Sequence, residues 1–306
     1  MSSASSSRGW TALAGAVIAV SSSALFVRAA QEGASSLAVA AWRTVIAAAL
    51  VAAWTVPRRR QEIASLTAGD AAAAVVAGVC LAVHFASWIG SLEWTSVAVS
   101  VSLVNTAPLF VATLGPLATG ERPSRAAAVG AIVATAGATA IGLNAESAAG
   151  RDDLRGAALA VAGAVSVAAY LVAGRRVRDR MPLDLYVTLV YGTAAVCLMG
   201  AALLTGQTLS GFGPRPWAAI VGLAVVCQIV GHTATNYAVR AMPASVVATA
   251  LLAEPLLATA AAYAALGERV GGGQLAGAAL VVAGIATAAR GGRPPVAEPT
   301  PGGESA

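Results

Sequence analysis

The sequence has 306 residues, of which 58% are hydrophobic and only 11% charged, with a net charge of +5 and a mean hydropathy of +0.75. A soluble domain carries roughly 25% charged residues, so this chain has too little polar surface to wrap its apolar content in water. The positive balance does not point to nucleic acid either: all 19 basic residues are arginines lying mainly in short turns, and no basic groove with interleaved aromatics is readable.

Residues 1–9 are expected to be disordered. The apolar run that begins at about Trp10 ends at Arg28 with no clear small-x-small cleavage site, so it reads as an uncleaved first span rather than a signal peptide. Charge-poor runs then predict ten membrane helices at roughly 10–30, 36–56, 70–90, 95–117, 124–143, 154–173, 184–205, 215–237, 244–266 and 273–290. Pro57-Arg58-Arg59-Arg60, Gly120-Glu121-Arg122-Pro123 and Gly213-Pro214-Arg215-Pro216 separate them, joining helix-ending residues to charge. The Pro- and Gly-rich tail, 291–306, lacks the apolar content to order itself.

With the N-terminus in the cytoplasm, only Arg28, Arg43, Arg151, Arg155, Arg215 and Arg269 fall elsewhere, leaving 13 of the 19 arginines inside. Arginine in short loops sets orientation, so both termini are expected to be cytoplasmic, in an inner or plasma membrane. Cys80, Cys197 and Cys227 each sit within an apolar run without paired spacing, as small core residues do.

An offset of 147 relates Pro108 to Pro255, Gly120-Glu121-Arg122 to Gly267-Glu268-Arg269, Gly130 to Gly277 and Gly137 to Gly284. Matched features at one spacing imply a duplicated five-helix unit. Five is odd, so the second copy is inverted across the membrane, the usual construction of secondary transporters with a substrate site between the halves.

Thr95-Ser96-Val97-Ala98 through Asn105-Thr106-Ala107-Pro108 to Gly120-Glu121-Arg122 resembles the EamA repeat of the drug/metabolite transporter superfamily. The second copy runs from Ala244-Ser245-Val246-Val247 through Glu254-Pro255 to Gly267-Glu268-Arg269, and Arg43 after Trp42 is similar to an arginine common there in the family. The resemblance implies an all-α integral membrane protein of ten helices in two inverted repeats, 10–143 and 154–290. It also implies a carrier of metabolites, amino acids, nucleotide-sugars or drugs, often working outward, with no nucleotide hydrolysis of its own. Consistently, the sequence has no Walker-type loop and no lysine at all.

Charge inside a bilayer costs at least about 2.5–3.5 kcal/mol at the centre, which makes each intramembrane polar residue a candidate site. Arg43, near a span end, is read either as touching substrate or as snorkelling to the interface. His84 precedes Trp88 by four and His232 precedes Asn236 by four, so each pair shares a helix face at related places in the two repeats. Each histidine either lines a midplane cavity, where it offers a route to proton coupling, or bonds a neighbouring helix. Trp88 offers an aromatic wall, while Asn105, three before Pro108, is either a substrate contact or interhelical glue. Glu254, just before Pro255, is either a substrate or proton site or a structural partner of Arg43.

The expected function is a secondary transporter that exports an amino acid or similar polar solute by alternating access, with a drug or nucleotide-sugar carrier as the alternative. An aromatic-poor cavity is expected to disfavour bulky cationic drugs. An intramembrane metal enzyme is the competing class, but His-Glu-x-x-His and Gly-x-Ser-x-Gly are both missing from the sequence. No enzyme activity, cofactor, metal or nucleic-acid partner is therefore expected. The expected partners are a small-molecule substrate, the lipid bilayer and, at most, a second copy of the chain.

Overall fold

Apolar runs without charge have to satisfy every backbone amide internally once in lipid, and the chain does so with helices. The computed structural model describes residues 3–95, 97–120, 122–143, 153–177, 180–257, 260 and 271–291. In order these form α1 (Ser3–Val20), α2 (Ser23–Gln31), α3 (Ser36–Arg58), α4 (Arg60–Ala64), α5 (Ala68–Trp94), α6 (Val97–Val104), α7 (Ala107–Thr119) and α8 (Arg125–Leu143). The second half forms α9 (Asp153–Val177), α10 (Leu183–Leu204), α11 (Pro214–Gly222), a π-helical segment (Leu223–His232), α12 (Thr233–Ala241), α13 (Ala244–Leu251) and α14 (Gly272–Gly291).

Among the described residues eight helices are long and apolar enough to cross a membrane, with two shorter apolar helices at Arg125–Ile141 and Ala244–Leu257. The expected ninth span continues into residues outside the described set, as do Glu121, the Gly267-Glu268-Arg269 turn and the tail beyond residue 291. At the other end, α1 reaches back to Ser3, into the stretch expected to be disordered. Residues 3–8 are Ser, Ala and Arg, with neither Gly nor Pro to stop the helix of the first span from propagating backwards.

Local chemistry sets the boundaries. Thr67 caps α5 by accepting from the Asp70 amide at 3.2 Å, and its hydroxyl bonds the Asp70 carboxylate at 2.8 Å. Gly120, at φ 72, closes α7 in the left-handed conformation that a side chain disfavours. Ile18, Leu25, Trp54, Leu117, Val196 and Leu204 point outward from the bundle, which only lipid makes favourable.

Packing follows the duplication. The helix pair α5 and α9 is mirrored by α12 with the π segment and α1, the pair α3 and α10 maps onto itself, and so does the pair α8 and α14. That last pair meets through the glycines: a Cβ on Gly130 would lie 2.5 Å from the Gly284 carbonyl oxygen, and one on Gly137 would lie 2.6 Å from that of Gly277. Backbones touch there because no side chain intervenes. Outside the bundle core, Arg59 bonds Asp184 at 2.8 Å and Glu62 at 2.9 Å, tying the end of α3 to the start of α10. The hydrogen bond to Asp184, then that to Glu62, raises the Arg59 pKa, and the Arg59 hydrogen bond holds Glu62 below the usual carboxylate value.

Candidate functional site

The fourth and ninth apolar runs are both broken, at positions one repeat offset apart. Residues 105–106 separate α6 from α7, and helix α13 is interrupted after Leu251 before resuming up to Leu257. Pro108 and Pro255 cause this, because each lacks an amide and its ring crowds the carbonyl four residues back. Irregular backbone at membrane depth is tolerated where it lines a cavity. A cavity of about 100 Å³ lies there, bordered by Asn105, Ala107 and Pro108 from one break and by Leu251, Leu252 and Glu254 from the other.

Arg43 also borders it, from α3. Its side chain is only 1% exposed, with Nε donating to Gln228 Oε1 at 3.2 Å and the guanidinium 4.1 Å above the centre of the Phe85 ring. It does not snorkel to the interface: α5 and the π segment pack against α3, so the guanidinium turns inward. Nor does it pair with Glu254. Among the described residues the ion pairs are Arg59 with Glu62 and Asp184, Arg180 with Asp70, and Arg215 with Glu32. Glu254 instead borders the cavity together with Ser23.

His84 and His232 both border the cavity. His84 Nδ1 is 2.9 Å from the Gly163 carbonyl, and its ring stacks on Trp88 with centroids 6.1 Å apart and planes 4° apart. His232 stands edge-on to Phe85 at 5.2 Å and lies 6.3 Å from the Tyr170 ring. The cavity is thus rich in aromatic surface, contrary to the sequence expectation. Phe85 and Tyr170 supply it from faces that the apolar runs around them made indistinguishable from ordinary packing.

Asn236 is not among the residues that border the cavity. Its side-chain amide donates to the Tyr170 hydroxyl and, at 2.8 Å, to the His232 carbonyl, so it braces the wall from behind. The other six candidates, Arg43, His84, Trp88, Asn105, His232 and Glu254, come together around one space. Among the groups there, Arg43 Nη1, Trp88 Nε1 and Asn105 Nδ2 are buried N–H donors without a hydrogen-bond partner. An unmade buried bond costs about 1–3 kcal/mol, which a ligand bearing acceptor atoms would recover.

Residues that sequence reasoning missed support the arginine. Gln228 lies in the π segment, and the Tyr191 hydroxyl donates to its carbonyl at 3.1 Å and sits 3.1 Å from the Thr233 hydroxyl. A glutamine four residues before His232, alone in an apolar run, was the signal available for it. The π geometry itself has a readable cause. His84 lies 17 residues after the helix cap Thr67, whereas His232 lies 19 after the cap Gly213. A π turn uses more residues than an α turn, so it absorbs the difference and leaves the two histidines 6.4 Å apart, centroid to centroid.

Among the described residues no three His, Cys, Asp or Glu side chains are grouped so as to hold a metal ion. Comparison with known proteins gives a match to the EamA-like transporter family over residues 7–143 and again over 154–290. No curated protein matches. A protein solved by crystallography is similar in fold, with a TM-score of 0.73 at 20% identity, over 94% of this chain and 98% of that one.

Proposed function

This chain belongs to the EamA-like transporter family, and on that premise we propose that it exports a small polar metabolite, an amino acid or similar solute, by alternating access. It is a multi-pass membrane protein of a family of transporters rather than enzymes. In this reading the eight long helices and the two shorter ones make ten crossings, with both termini in the cytoplasm of a cell whose inner or plasma membrane holds the protein.

The observation that carries the reading is the set of unpartnered donors, Arg43 Nη1, Trp88 Nε1 and Asn105 Nδ2, bordering the same cavity as the Glu254 carboxylate. The donors suit a carboxylate or carbonyl of a solute, and Glu254 suits its ammonium or proton. The cavity lies between two broken helices related by the repeat, where rocking of the halves would expose it to each side in turn. The aromatic wall of Phe85, Trp88 and Tyr170 also gives weight to a second reading, a carrier of flat or cationic drug-like solutes.

The test is uptake and efflux of labelled amino acids and metabolites in proteoliposomes, comparing wild type with Glu254→Gln at equal and unequal pH. Saturable transport that Glu254→Gln abolishes supports a carrier with Glu254 at its site. Transport unaffected by the substitution returns Glu254 to packing, and a rate indifferent to an imposed pH gradient removes proton coupling.

A further inference from the structure

A second cavity, of about 340 Å³, opens where α7 and α9 end and α8 and α13 begin. We propose that it is a separate anion site, which takes a phosphate or carboxylate group from a soluble anion or a lipid headgroup. Arg122, Arg175, Thr119, Ser124 and Ser245 bring its polar atoms, and no Asp or Glu is among the described residues that border it.

Each part has its own reason to be there. Arg175 is held in place by donating to the Val239 and Arg240 carbonyls at 3.3 and 3.1 Å, the last turn of α12. Arg122 follows the Gly120 turn and enters no ion pair among the described residues, so its planar set of donors is available to an outside oxyanion. Ser245 is 9% exposed, yet among the described residues its hydroxyl makes no hydrogen bond. It stands in the first turn of α13, which has no side-chain cap; Val246 and Val247 donate to the Pro243 carbonyl, which leaves the Ala244 and Ser245 amides at the helix start for the same acceptor. Two guanidinium groups, a serine hydroxyl and an uncapped helix start border a space with no competing carboxylate among the described residues, a donor set suited to an oxyanion.

The site is distinct from the central cavity, although the same helices border both. On α7, Pro108 borders the central cavity, while Val111 and Gly115 border this one, about 5 and 10 Å further along the axis at the rise of a helix. Occupancy here can be read at equilibrium, so the proposal stands or falls independently of what the central cavity carries.

The experiment measures binding of labelled inorganic phosphate by equilibrium dialysis to the full chain in an uncharged maltoside detergent stripped of phospholipid. A parallel arm adds phosphatidylglycerol. Arg122→Gln and Ser245→Asp are compared with wild type, and thermal unfolding checks that each variant is folded. Saturable binding that Arg122→Gln weakens by about tenfold, and that Ser245→Asp abolishes, is the expected result. Phosphatidylglycerol that displaces the phosphate and raises the unfolding temperature of wild type, but not of Arg122→Gln, identifies a lipid headgroup as the occupant. Binding equal in wild type and both variants overturns the proposal, as does an absence of phosphate binding at tens of millimolar together with no stabilisation by the lipid.

Discussion

His84 and His232 come from opposite halves of the chain and face each other with ring centroids 6.4 Å apart. His84 is fixed from behind by the Gly163 carbonyl, whereas His232 is held by aromatic edges. Replacing His232 with Phe keeps a ring and removes both nitrogens. If a nitrogen meets the solute, transport falls about tenfold, the worth of one good hydrogen bond. An unchanged rate in proteoliposomes would assign His232 to packing.

Arg43→Lys keeps a positive charge but cannot both donate to Gln228 and present a second N–H to the cavity. Transport is expected to drop by about tenfold or more, while the variant stays monodisperse on size exclusion. Wild-type rates would show that charge alone is needed there.

Tyr191→Phe removes the hydroxyl that serves the Gln228 carbonyl within the π segment. The loss of one hydrogen bond predicts a destabilisation of about 1 kcal/mol. Thermal unfolding in detergent reads it, and a variant as stable as wild type would show that the π turn holds without this brace.

Gly137→Val forces a branched side chain into the Gly277 carbonyl and the Val281 amide across the α8 and α14 contact. Overpacking of this kind costs about 1–3 kcal/mol, and more where backbone must move. Gly15→Val, at a glycine whose Cβ would meet nothing within 4 Å, is the matched control and is expected to be near neutral.

The Arg59 cluster predicts a pH dependence. Because Glu62 has a lowered folded-state pKa, its contribution is complete above the unfolded carboxylate value and is lost as pH falls through the lowered one. The small difference in unfolding temperature between wild type and Glu62→Gln should therefore be present at neutral pH and vanish on acidification. A difference that persists at low pH would mean that the glutamate acts through packing instead.

Much of the architecture could be read from the chain because lipid imposes a length on apolar runs and a duplication leaves matched residues. The matched prolines Pro108 and Pro255 were legible in the same way, but the spans 95–117 and 244–266 were expected to run as single helices through them, and the breaks come from the amide each proline lacks. Side-chain direction was less so. Arg43 lies two turns into α3, a depth equally suited to reaching outward or inward, and only its neighbours decide between them. Asn236 shares the face of His232, but its amide is taken by Tyr170, a partner from another helix that no spacing in the sequence announces. Phe85 and Tyr170 looked like core residues because a cavity wall and a core use the same side chains.

The π segment has a consequence for energy balance. If a carrier built from two identical inverted units exchanged the roles of its halves, its inward-open and outward-open forms would be related by symmetry and equally stable. Here one unit carries a wide turn, held by Tyr191, where the other runs as a regular α-helix through His84. The symmetry between the halves is therefore broken beside the central cavity, and in a carrier that alternates as proposed the two forms have no reason to be degenerate.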